Sequence, residues 1–210
     1  MNNSLNNNSA ATPKVALIAL HGRGATGASV RPLAEDWSLM MGLENDTIHT
    51  PQAKGGTWYP NSFMAPFAAN APFLDNSLAQ IAALHTAINA DGVPDAHIHW
   101  LGFSQGACLA LEYVSRKGGD FGSVLALSGG LIGPAGTSWP NRFGLANTPI
   151  YMGCDAQDPH IPASRFAETL AALQQQGAKL KGDLYPNLGH SLSTEELENA
   201  RTWIVLGDAL

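Results

Sequence analysis

From Lys14 to Ile204, short apolar runs alternate with stretches whose apolar residues recur every three or four positions. The first run, Lys14–Leu20 (KVALIAL), is apolar almost without a break, as expected of a strand covered on both faces. Further strand-like runs lie near Asp46–Thr50, His97–Phe103, Ser123–Ser128 and Pro149–Gly153. A sixth, Lys179–Tyr185, mixes Leu180 and Tyr185 with polar residues. Between them Val30, Leu33, Trp37 and Met40 fall on one helical face, as do Leu74, Leu78, Ile81 and Ile88. Phe166, Leu170 and Leu173 make a third stripe, closed by Gly177. Ser193 with Glu196 reads as a capping box opening a last helix, with Leu197, Ala200 and Ile204 inward. This alternation predicts an α/β fold: a mostly parallel sheet of six or seven strands with helices on both faces. It also places any chemistry in loops beyond the carboxyl ends of the strands.

The length of 210 residues suits one domain, read as residues 14–210 behind a flexible tail, 1–13, that is rich in Asn and Ser. A net charge of -6 argues against nucleic acid as a partner. No run is long and apolar enough to predict a membrane span, and the N-terminus has no charged segment leading into an apolar one. Cys108 and Cys154 make neither a CxxC pair nor a zinc spacing, which favours a reducing, cytoplasmic setting. The sequence is silent on oligomeric state, a homodimer being the commonest closed assembly.

One stretch breaks the rhythm. Thr50–Pro72 holds Pro51, Pro60, Pro66 and Pro72 and has no clear period. Long loops of this kind often carry function. Its Trp58, Tyr59, Phe63 and Met64 are candidates to wall an apolar pocket, against the plainer reading that they only cover the core.

Gly102-Phe103-Ser104-Gln105-Gly106 matches G-x-S-x-G. The motif alone is weak, but it follows a strand-like run and precedes the helix-like ACLALEYVSRK. Strand, sharp turn and buried helix are what a nucleophile elbow requires; the glycines allow strand and helix to approach closely. The competing reading makes Ser104 a helix cap. A serine nucleophile needs a base and an orienting acid, in the chain order Ser, Asp or Glu, His. Only His160 and His190 follow Ser104, and His190 lies after the last strand, where the base belongs; His160 lies beside the acid candidates. Asp155 and Asp158 both end the PIYMGCD strand, and spacing leaves the choice open, with a mild preference for Asp158. The Gly-rich turn after the first strand, His21-Gly22-Arg23-Gly24, offers the Arg23 backbone N–H as one oxyanion donor, with Gln105 N–H as the other.

These pieces resemble the phospholipase/carboxylesterase family of α/β-hydrolases, which includes acyl-protein thioesterases. The matching segments are LHGRGATG, TWYP, LGFSQGACLALEY, LSGGLIGP, GCDAQDPHIP and GHS, spread in order over most of the chain. The resemblance implies a Ser104–Asp158–His190 triad, the acid being the aspartate that opens Asp158-Pro159-His160-Ile161-Pro162. It also supports the Arg23 and Gln105 donors and implies a small-molecule ester substrate, a covalent acyl-enzyme, no cofactor and no large cap domain. The HGRG and WYP variants look more like bacterial esterase-type members than eukaryotic depalmitoylating enzymes. Three other readings compete. One is an acyl-protein thioesterase. Another is a non-catalytic binding protein on the same fold. The third is a metal site at His97-x-His99, for which no third ligand is evident.

Overall fold

The computed structural model describes residues 14–43, 46–140, 143–145 and 147–206. The segment 1–13, expected to be a tail, lies outside them. The strands are β1 (Val15–Leu20), β2 (Asp46–His49), β3 (Ile98–Phe103), β4 (Ser123–Leu127), β5 (Pro149–Asp155) and β6 (Lys179–Tyr185). The longer helices are α1 (Gly27–Met41), α3 (Phe73–Ala90), α4 (Gln105–Lys117), α5 (Ala163–Gln175) and α6 (Thr194–Leu206), and α2 (Phe67–Asn70) is a single turn. Among the described residues the strands form one sheet in the order β2-β1-β3-β4-β5-β6, and every neighbouring pair is parallel.

Strand alternation divides the core in two. Leu17, Ala19, Leu101, Leu125 and Tyr151 face α1 and α6, where Trp37 and Ala200 meet them. Ala16, Ile18, Trp100, Val124 and Met152 face α3, α4 and α5. Burial of both sheet faces explains why β1 and β4 read as unbroken apolar runs. The edge strand β6 is only half-covered, which is why its sequence is mixed.

The chain leaves β1 outward to β2 and returns inward to β3. The crevice between the carboxyl ends of β1 and β3 is therefore the switch point where ligands of open α/β sheets bind. The 50–72 stretch is more ordered than its sequence suggested: Lys54–Gly56 form a 3₁₀ turn and Phe67–Asn70 the single turn α2. Its backbone is satisfied largely by side chains, as burial requires. Ser77 Oγ donates to Trp58 O at 2.6 Å, and the buried Asn70 accepts from Asn61 N–H and donates to Ser62 O.

Candidate active site

Ser104 stands between β3 and α4 with φ 55 and ψ -119. A non-glycine residue in that region carries about 1–3 kcal/mol of strain. The hydrogen bonds from Ser104 N–H to Leu127 O (2.9 Å) and from Cys108 N–H to Ser104 O (3.0 Å) hold it there. Both flanking glycines are obligatory. A Cβ on Gly102 would lie 2.6 Å from the Ala107 backbone, and one on Gly106 would lie 2.0 Å from Leu20 O. Ser104 does not cap α4 with its side chain; its Oγ lies 2.8 Å from His190 Nε2 instead.

On the other side of the ring, His190 Nδ1 lies 2.8 Å from Asp158 Oδ2. Asp158 Oδ1 accepts from the backbone N–H groups of His160 (2.8 Å) and Ile161 (3.0 Å). The Cys154 thiol approaches Oδ2 at 3.6 Å. Burial by itself would raise the Asp158 carboxyl; the His190 hydrogen bond and the two backbone N–H groups together outweigh it and hold the group below its ordinary value. Of the two aspartates at the end of β5, Asp155 points elsewhere. Its Oδ1 accepts from Gln157 N–H (2.5 Å) and its Oδ2 from Gly189 N–H (2.7 Å), contacts that depress its pKa. It thereby ties down the loop that carries His190. The imidazole packs against Phe103 (ring centroids 5.2 Å apart) and, near perpendicular, against His160 (4.7 Å, interplanar angle 79°).

The loop after β1 is more than a tight turn. His21 is buried, accepts from Ala53 N–H at Nε2 (3.1 Å), and so presents a protonated Nδ1 to Gly22 O (2.8 Å). Among the described residues the Arg23 N–H has no hydrogen-bond acceptor. Gln105 opens α4, so its N–H has no acceptor within the helix. Sequence reasoning named the Gln105 backbone N–H as a donor and did not anticipate its side chain. Oε1 accepts from Thr57 Oγ (3.1 Å) and Trp58 N–H (2.9 Å), and Nε2 donates to Tyr59 O (2.8 Å). One buried amide thus clamps the aromatic loop onto the elbow.

A cavity of about 580 Å³ opens over Ser104 and His190. Tyr59 and Phe63 line it, with Arg23, Asn61 and His160. Trp58 and Met64, grouped with them from sequence, do not. The Trp58 indole turns into the core, where its N–H finds His21 O at 2.9 Å, and Met64 packs against the core cluster. Cys108, one helical turn beyond Ser104, forms part of the floor, and burial pushes its thiol up to about 11, too high for a thiolate nucleophile. His97 and His99 do not share a strand face: His97 lies in the 3₁₀ turn before β3, and His99 Nδ1 bonds Ser123 Oγ at 2.8 Å.

Comparison with known proteins agrees with this architecture. The sequence model of the phospholipase/carboxylesterase family matches residues 3–206. A crystal structure of a phospholipase/carboxylesterase from Dyadobacter fermentans superposes with a TM-score of 0.85 at 37% identity, covering 92% of this chain and 90% of that one. The probable carboxylesterase SOBER1-like of Arabidopsis thaliana is 26% identical over 204 residues, 90% of this chain and 77% of the relative. Acyl-protein thioesterase 1 of Debaryomyces hansenii is 27% identical over 217 residues, 91% of this chain and 90% of the relative. Parallel sheet, strand-to-helix elbow and full-length likeness converge: the chain has the α/β-hydrolase fold and belongs to the phospholipase/carboxylesterase family.

Proposed function

We propose that this protein is a carboxylesterase that cleaves small esters through a covalent acyl-enzyme, with Ser104 as nucleophile, His190 as general base and Asp158 as the orienting acid. The reading rests on one observation: the unbroken chain of 2.8 Å contacts from Ser104 Oγ through the His190 ring to Asp158, at the mouth of a cavity. In acylation Ser104 Oγ attacks the ester carbonyl while its proton passes to His190 Nε2. Asp158 fixes the tautomer and steadies the imidazolium. The Arg23 and Gln105 backbone N–H groups receive the negative charge that develops on the carbonyl oxygen. Collapse expels the alcohol, which takes the proton from Nε2. Water then repeats the sequence and releases the acid.

The test is labelling with a fluorophosphonate probe together with turnover of short acyl esters. The expected result is one label on Ser104, with Ser104→Ala losing both label and turnover while its circular dichroism stays unchanged. Turnover that survives Ser104→Ala overturns the nucleophile. A folded wild type that neither labels nor turns over supports a binding protein on this fold instead. Oxygen esters and thioesters pass through the same tetrahedral chemistry, so a thioester in the same panel distinguishes an esterase from the thioesterase activity named among the relatives.

A further inference from the structure

The wall of the cavity carries an unusual electrostatic sign. The protein is acidic overall, at -6. Yet among the described residues no aspartate or glutamate lines the cavity over Ser104, while the cation Arg23 does. The Asp158 carboxylate is buried behind His190 and engaged with it.

Arg23 is held ready by the protein rather than neutralised by it. Nη1 donates to Thr57 Oγ1 (3.1 Å) and Pro60 O (2.8 Å), and Nη2 donates to Asn61 O (2.7 Å). The guanidinium also lies 5.9 Å from the centre of the Tyr59 ring. Every one of these partners is uncharged. A guanidinium has five N–H donors, of which both on Nη1 and one on Nη2 are taken. The Nε–H and the second Nη2–H remain, and among the described residues neither has an acceptor. Two donors are thus left for an anion, the number a guanidinium uses when it grips a carboxylate. Three hydrogen bonds have already fixed the side chain, so little further ordering is needed when an anion docks.

We infer that the cavity selects esters that also bear a free carboxylate, such as half-esters of dicarboxylic acids, with the unused donors of the Arg23 guanidinium as the anchor and Ser104 acting on the ester group. This inference rests on the esterase reading above and adds the substrate class. The Arg23 charge also favours anionic substrate locally, against the sign of the protein's net charge.

The test compares ethyl pentanoate with monoethyl glutarate, in which the terminal methyl is replaced by a carboxylate of similar length. Rates of proton release or product formation give kcat/KM for each. A second pair places the carboxylate on the alcohol side: propyl pentanoate and the pentanoyl ester of 3-hydroxypropanoate. The expected result is a preference of about tenfold or more for the anionic member of one pair, the scale of a charge-assisted hydrogen-bonded pair. Whichever pair shows it locates the carboxylate on the acyl or the alcohol side. Arg23→Gln should bring that ratio to near unity whatever it does to the neutral ester. Arg23→Lys, a cation without the fork, should keep only part of it. In 1 M salt, where the screening length falls to about 3 Å, the ratio should shrink. Cleavage of the neutral esters with no anionic preference in either pair overturns the inference alone. So does a preference that survives Arg23→Gln. Loss of all four activities together with loss of Ser104 labelling overturns the esterase reading beneath it.

Discussion

Glu196 supplies the sharpest stability prediction. It lies in the first turn of α6, and its backbone N–H bonds Ser193 Oγ at 3.1 Å, so one half of the predicted capping box forms. The return half does not. Neither carboxylate oxygen makes a hydrogen bond among the described residues, and the side chain is fully buried. It occupies space that Gly153 leaves open on β5, where a Cβ would lie 2.0 Å from Oε1. Burial raises its pKa to about 7 from an ordinary 4.5; the Ser193 N–H, short of a formed hydrogen bond, opposes the shift, and the Asp183 carboxylate adds to it. The unfolded chain therefore ionises this group first. Below about pH 4.5 Glu196 is neutral in both states and carries no penalty. Between 4.5 and 7 the penalty grows, and above 7 it is complete. A shift of that size corresponds to about 3 kcal/mol at pH 8. Glu196→Gln keeps the shape and removes the charge. Urea denaturation of both proteins at pH 5 and pH 8 cancels every other titrating group in the comparison. The variant should gain about 2–3 kcal/mol relative to wild type on going from pH 5 to pH 8, or about 5–10 °C in Tm for a chain of this size. An advantage that is the same at both pH values, or that falls at pH 8, would show that the carboxylate is not buried unpaired.

Three further substitutions test the proposed acid and the elbow. Asp158→Asn should lower kcat by about 10⁴-fold, because the amide stabilises the wrong imidazole tautomer. Asp155→Asn should do less, since Asp155 holds the Gly189 N–H rather than the ring; a larger loss there would reverse the assignment of the two residues. Gly106→Ala should cost more than about 3 kcal/mol or prevent folding, because the new Cβ meets the Leu20 carbonyl at 2.0 Å in backbone that cannot retreat. A variant with wild-type Tm would show that β1 and α4 have room to separate.

What the sequence disclosed depended on how local each cause is. The buried strands announced themselves because their neighbours cover both faces, as with Ala16–Leu20, all fully buried. The elbow was visible because its strain, its two glycines and its helix are contiguous. His190 could be nominated because chain order constrains where a base can sit. The residues that escaped sequence reasoning are those defined by a partner far along the chain. Asp155 and Asp158 have the same chemistry three positions apart. Only the β6–α6 loop separates them, bringing the Gly189 N–H to one and the His190 ring to the other.

The same limit explains Trp58, Gln105 and Glu196. Trp58 and Tyr59 are neighbours with similar apolar bulk, but the indole N–H needs a buried acceptor, and His21 O, 37 positions away, supplies it inside the core. The clamp formed by the Gln105 side chain exists because Thr57, Trp58 and Tyr59 return to within bonding distance almost fifty positions away in sequence. A capping box needs only Ser193 and Glu196 in order, yet whether the glutamate reaches back or turns inward depends on residue 153 lacking a side chain. Arg23 follows the same rule. Its position in HGRG nominates only its backbone N–H, whereas the charge of its side chain acquires meaning only because the loop folded over it supplies carbonyls and no carboxylate. Local pattern therefore nominates the machinery that any ester requires. The features that set this cavity apart lie in pairings across the chain, and those are where a search for its substrate should begin.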